Sequence, residues 1–343
     1  MRTLNSNLYF TKYKFNKHHY WKRKLGNHKN EKFDTQLLAP TNKNIIQSKK
    51  LFKENIDIIN IETSSYCNRK CSYCPVSVYG REDKINISKS LLNSILNGLK
   101  DIGYNKAISL NLYNEPLASD NFYEILKIIK KKLPKSIIGT NSNGDYIKNS
   151  EILEKLSDFG LNRIKITAHT PPGRNFSKEY MIFRMEEFAK RINYKIKKKD
   201  LDKFYFSFKI KNLVGIFQCP NWMKIGNSRG GTIKSLNKKN VRTSPCVKPF
   251  REFTIYYDGS VTPCCDIYHG NNYSKYIVKK LSSKDKNEIF KVYAGKTLSL
   301  WRKDLFTWSE KKDICGSCSA PDLAERKDQK KRKKILSINN LKI

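Results

Sequence analysis

IDIINIETSSYCNRKCSYC, residues 56–74, is the stretch on which the fold turns. Its first eight residues, IDIINIET, are short, β-branched and bounded by polar positions, which predicts a strand. Directly after it comes Cys67-x3-Cys71-x2-Cys74. Thiolates select zinc, copper(I) or iron–sulfur clusters. A structural zinc site wants four ligands, usually from two pairs. Three cysteines within eight residues, with no fourth Cys or His nearby, leave one metal position open to a ligand. An open position points to catalysis; a partial zinc site is the alternative.

Working outward, strands and helices alternate. Ser88 precedes SLLNSILNGLK, a helical period with an N-cap. AISLNLY (107–113), SIIGT (136–140) and RIKITAH (163–169) read as strands. NFYEILKIIKKKL (121–133), SEILEKLSDFG (150–160) and KEYMIFRMEEFAKRINYKI (178–196) read as helices. FYFSFKI (204–210) reads as one strand running on towards LVGIF. Such alternation implies parallel βαβ units, about five over residues 56–217. They suit an α/β barrel, whose chemistry sits at the C-terminal ends of its strands. The cysteine loop leaves the first strand on that face.

Residues 1–50 read as a basic, irregular extension and 51–217 as the barrel core. Residues 218–245, rich in Gly, Asn and Ser, read as a loop or lid. FREFTIYYDGSVTPCC (250–265) alternates around Asp258-Gly259, a hairpin signal. A helical stretch near 284–306 leads to ICGSCSAPD (314–322), and residues 323–343 form a charged tail.

The 343 residues are 38% hydrophobic, enough for a packed core and unlike a disordered chain. No run of 18 apolar residues marks a membrane span, and the basic N-terminus lacks the apolar stretch of a secretory signal. The formal charge is +37. Lys outnumbers Arg, and Lys, Asn and Ile are abundant throughout, as an AT-rich coding bias produces. The clusters at 11–32, 195–199 and 326–335 would add a salt-sensitive, sequence-independent phosphate term if nucleic acid is bound. Nine cysteines in tight groups at ligand spacing fit metal ligation in a reducing cytoplasm better than a disulfide scaffold.

The cysteine triad, with Tyr73 before its third member, resembles the signature of the radical S-adenosylmethionine (SAM) superfamily. The resemblance implies a 4Fe–4S cluster on Cys67, Cys71 and Cys74, with SAM chelating the open iron. Reductive cleavage of SAM then yields a 5′-deoxyadenosyl radical that abstracts a hydrogen atom from substrate. Asn114-Glu115-Pro116, after the second strand, is similar to the family's Gly-Gly-Glu-Pro segment, with Tyr113 and Asn114 in place of the glycines. Glu115 would accept from the SAM ammonium. Thr140, Asn141, Ser142 and Asn143 after the third strand, and Thr167 and His169 after the fourth, are positions that face SAM in this family.

Cys246, Cys264, Cys315 and Cys318 are the second constellation, and by spacing alone it fits zinc or iron–sulfur. Cys246-x12-Gly259-x4-Cys264 resembles the start of a SPASM domain, here in the shortened twitch form because no cysteine follows Cys318. The resemblance implies an auxiliary 4Fe–4S cluster over residues 246–322. Cys265 competes with Cys264 as ligand, and Cys219 has no partner at motif spacing.

The implied architecture is a partial (β/α)6 radical SAM barrel with a small C-terminal SPASM/twitch-like domain. The implied function is hydrogen abstraction leading to oxidation or crosslinking of a peptide, protein or sugar-like small molecule, with flavodoxin or ferredoxin as electron donor. The alternatives are a radical SAM enzyme acting on RNA and a zinc-stabilised basic binding module.

Overall fold

The computed structural model describes residues 34–81, 83–237, 239–320, 333–334 and 336–337. Most of the charged tail and residues 1–33 lie outside the described residues, as do the basic clusters at 11–32 and, in large part, 326–335.

The framework is α/β with one mixed sheet. Helix α1 (Ile45–Asn55) leads into β1 (Ile58–Ile61), then α2 (Pro75–Tyr79) and α3 (Lys89–Asp101). There follow β2 (Ala107–Ser109), α4 (Phe122–Lys132), β3 (Ile137–Ser142), α5 (Ser150–Asp158), β4 (Arg163–Thr167) and α6 (Lys178–Arg191). Strands β5 (Tyr205–Ile210), β6 (Leu213–Gln218), β7 (Glu252–Ile255), β8 (Ser260–Thr262) and β9 (Lys279–Lys280) complete a nine-stranded sheet in the order β5-β6-β4-β3-β2-β1-β7-β8-β9. Strands β6, β4, β3, β2, β1 and β7 are mutually parallel; β5, β8 and β9 pair antiparallel.

Local sequence explains most elements. Ser88 caps α3, its side chain accepting from Leu91 N, as the sequence predicts. Leu91, Leu92, Ile95, Leu96 and Leu99 form the helix's buried face. On β1, Ile59 and Ile61 join that same core. Asn60 and Glu62 therefore point to the sheet's opposite, inner face, because side chains alternate along a strand. The Asp258-Gly259 turn forms the expected hairpin: Asp258 accepts from Ser260 N and Gly259 holds a φ of +88° that L side chains rarely adopt.

Three expectations need correction. The run 204–217 is two strands, because the chain reverses at Lys211-Asn212, with Lys211 at a φ of +50°. Folding back stacks Phe217 on Phe206 and on Phe188 of α6, ring centroids 5.4 and 4.6 Å apart respectively. The stretch 284–306 is two helices, Glu288–Ala294 and Lys296–Phe306, broken at Gly295. Finally, the core begins before residue 51. Asn44 caps α1, and Leu37, Leu38, Leu51 and Phe52 are buried. Phe52 meets Phe253, Phe290 and Tyr293 edge-on at 5.2–5.4 Å. No described helix is long and apolar enough to cross a membrane.

Candidate metal and cofactor site

The loop after β1 is closed at its base by an antiparallel bridge between Ser64 and Asn86. Ser65 N donates to Ile85 O and Ile87 N to Thr63 O, both at 2.9 Å. All three cysteines lie within this closed loop. Cys74 occupies the N-cap position of α2, followed by Pro75 in its first turn. Its backbone N–H donates to Cys71 O, and Ser77 Oγ donates to the same carbonyl at 2.6 Å. Burial pushes the Cys67 thiol up to about 12 and Cys71 up to about 11. The neighbouring thiols add to this, Cys74 and Cys71 acting on Cys67, and Cys74 on Cys71. Without metal these thiols are protonated, and a metal would have to displace the protons.

A polar clamp fixes the loop's first turn. Arg69 donates from Nε and Nη2 to the two oxygens of Asp145, each at 2.6 Å. Asn68 Nδ2 donates to Asp145 at 2.9 Å, and Asn68 Oδ1 accepts from Asn143 Nδ2 at 2.7 Å. Arg184 of α6 lies 3.6 Å from the same carboxylate. Asn68, Arg69, Asp145 and Arg184 were not singled out from the sequence. Arg69 sat inside the motif, but nothing local signals a partner 76 positions away.

Glu115 is buried at the end of the second strand's loop. Its N–H donates to Tyr66 O, one residue before Cys67. Its Oε1 accepts from Ser142 Oγ at 2.8 Å and Leu117 N at 3.2 Å, and Oε2 from Asn143 N at 2.7 Å. A carboxylate offers about four lone-pair sites, so one remains for a ligand donor. Burial pushes Glu115 up to about 7. Asn114 is turned to Thr63 and Ser64, and Pro116 opens a single 3-10 turn. Tyr73 OH and His169 Nδ1 are 2.8 Å apart, and their rings stack. Burial, then the Arg69 charge, pulls His169 down to about 4, which keeps it neutral. Thr167 Oγ1 accepts from Gln218 Nε2.

The second cysteine group gathers around the far end of the β7–β8 hairpin. Burial raises Cys246, Cys264 and Cys315. Cys246 and Cys318 contribute to the rise at Cys315, and Cys246 to that at Cys264. Cys264 and Cys315 also pack against one apolar cluster with Ile267, Tyr276 and Ile314. Cys265 faces elsewhere: Lys248 Nζ donates to its Sγ at 3.4 Å, and Glu252 interacts with it. Cys219 is a core residue donating to Met181 O. Among the described residues, no three His, Cys, Asp or Glu side chains stand at the spacing of a single metal ion.

Two ion clusters connect the groups. Arg81 pairs with buried Glu62 at 2.7 Å and lies over the rings of Tyr256, Tyr257 and Tyr268 at 4.8–5.6 Å. Asp266 pairs with Arg229 and Lys248, and Tyr113 OH donates to Cys265 O. On β4, Lys165 alternates with the core residues Ile164 and Ile166 and so projects to the inner face. Burial, then Arg229, lowers its pKa.

Residues 61–205 match the family model of the radical SAM superfamily. An S-adenosyl-L-methionine-dependent 2-deoxy-scyllo-inosamine dehydrogenase of Niallia circulans is 21% identical over 271 residues, covering 76% of this chain and 92% of that protein. A GTP 3′,8-cyclase of Nautilia profundicola is 30% identical over 118 residues, 34% of this chain and 36% of that one. The crystal structure of BtrN in complex with AdoMet and 2-DOIA shares the fold, with a TM-score of 0.56 at 19% identity, over 79% of this chain and 96% of BtrN. The three-cysteine loop thus stands within the region of the chain, residues 61–205, that matches the radical SAM superfamily model.

Proposed function

We propose that this chain is a radical SAM dehydrogenase of a sugar-like small molecule. The observation that carries the reading is the pairing of two thiol groups on one sheet: a three-cysteine loop after β1 and a four-cysteine group beyond β7–β8, the strand pair that adds to β1. Cys67, Cys71 and Cys74 would hold a 4Fe–4S cluster. Their burial, mutual proximity and soft donor atoms fit such a group. With SAM bound, that cluster supplies one-electron cleavage and a radical able to take hydrogen from carbon.

The chain's own residues would do the rest. The Asp145–Arg69 clamp orients the cysteine loop. Glu115, Asn143, Thr167 and His169 line the strand ends as candidate SAM contacts, Glu115 with its one remaining acceptor site. Tyr73 would act through His169. Cys246, Cys264, Cys315 and Cys318 would hold an auxiliary 4Fe–4S cluster suited to electron conduction. The different surroundings of Cys264 and Cys265 favour Cys264 as the fourth ligand.

A small-molecule dehydrogenation is favoured over peptide modification by the relative of 92% coverage, which is named as a dehydrogenase of an inosamine. A cytoplasmic setting with a flavodoxin- or ferredoxin-type donor completes the proposal.

Anaerobic purification with metal analysis tests it. The reading requires brown protein with about eight irons per chain, from two four-iron clusters. Replacing Cys67, Cys71 and Cys74 with Ala should abolish SAM cleavage and leave about half the iron. Survival of SAM cleavage in that variant overturns the reading. Zinc without iron would favour a binding module, and salt-sensitive RNA binding would favour an RNA substrate.

A further inference from the structure

The inner face of β1 and β7 carries buried polar atoms that the fold itself does not satisfy. The register pairs Asn60 with Thr254 directly and Ile58 with Glu252. Neighbours Ile59, Ile61, Phe253 and Ile255 all belong to the core on the helix side. Asn60, Glu252 and Thr254 therefore share the other face. Each is less than one-tenth exposed. Yet Asn60 Nδ2, Glu252 Oε2 and Thr254 Oγ1 make no hydrogen bond of ordinary geometry among the described residues, although Cys265 and Asn60 lie close enough to Glu252 to favour its charged form. Buried polar atoms are nearly always paired, and one left unpaired costs about 1–3 kcal/mol. Three on adjacent positions, all within about 8 Å by strand geometry, are a coherent patch rather than scattered defects.

Their chemistry is mixed. Asn60 offers an amide donor, Glu252 a carboxylate acceptor, and Thr254 a hydroxyl that does either. A hydroxyl group, which both donates and accepts, answers all three. The charges beside the patch are matched, because Lys248 and Arg229 both pair with Asp266 and Lys248 also lies by Glu252. No uncompensated cation at the patch calls for a phosphate or carboxylate ligand.

We propose that Asn60, Glu252 and Thr254 form the floor of the substrate site and bind the hydroxyl groups of a polyhydroxylated small molecule. This rests on the dehydrogenase reading and adds to it the residues that select the substrate class. Cys265, which touches Glu252 and Lys248, borders the floor.

The test uses the purified holoenzyme, Thr254→Val and Glu252→Gln. Thr254→Val keeps the shape and removes an unsatisfied hydroxyl. It should raise the thermal midpoint, since a group kept for ligand costs stability when the ligand is absent. Calorimetric titration with millimolar inositol stereoisomers should show binding to the wild type, weakened at least about tenfold in both variants. A lowered midpoint in Thr254→Val would mean that the hydroxyl serves a structural water network, and would overturn the proposal. So would wild-type protein that binds no inositol, or variants that bind as well as wild type. Iron content and SAM cleavage are read on the same wild-type preparation. If these are present while inositol binding fails, the floor alone is wrong; if they are absent, the dehydrogenase reading fails first.

Discussion

Asp145 ties the cysteine loop to the segment after β3. It takes both Arg69 hydrogen bonds, one from Asn68, and the nearby Arg184 charge. Asp145→Ala should destabilise the protein by about 1–3 kcal/mol in chemical denaturation, the range for charge-assisted bonds in a partly buried site. An unchanged midpoint would show that the clamp is ornamental. Glu115 makes a different prediction, in pH. Burial raises it from 4.5 to about 7, so the folded state holds this proton more tightly than the unfolded chain. Its favourable contribution is complete below pH 4.5 and is lost as pH rises through about 7, by up to about 3 kcal/mol. Thermal midpoints of metal-free protein across that window should fall with pH, and Glu115→Gln should flatten the slope.

At the scale of elements, α3 illustrates how a local pattern and a distant contact meet. Its cap and apolar period are written in residues 88–101. What the period does not announce is Gly98. A methyl there would collide with the backbone carbonyl of Lys286, which approaches from the far end of the chain. Gly98→Ala should therefore lower stability by about 1–3 kcal/mol through overpacking, despite alanine's better helix propensity. A stabilised Gly98→Ala protein would show that the Lys286 segment is free to move away. The β5–β6 reversal has the same character: the strand propensity was legible, while the turn at Lys211 was decided by aromatic packing on Phe188.

For the whole molecule, the decisive contact is the one that joins the two cysteine regions. Arg81 lies in the first loop after α2, Glu62 directly follows β1, and the three tyrosines come from residues 256–268. The pair is buried, with side chains 7% and 0% exposed. Arg81→Met would leave Glu62 without its counter-charge and should cost about 3–5 kcal/mol. Adding Glu62→Gln should recover much of that loss, because the unpaired charge is the penalty. Equal stability of the single and double variants in denaturant titrations would argue against this account. The +37 charge belongs to this scale too, and the pairs formed by Lys89, Lys211 and Lys291 lie on exposed side chains, where they contribute little.

The sequence by itself determined the β1 strand, the cysteine loop, the capped helices and the Asp258-Gly259 turn. All of these depend on interactions within about a dozen residues, where spacing and propensity act directly. Only the tertiary structure decided that β7 pairs with β1, which sets Thr254 opposite Asn60 across almost two hundred residues. The same holds for the Asp145 clamp, the Arg81 cage and the separate surroundings of Cys264 and Cys265. Such pairings are selected by which faces can be buried together and which charges compensate one another. That is a property of the folded whole, and no local pattern encodes it.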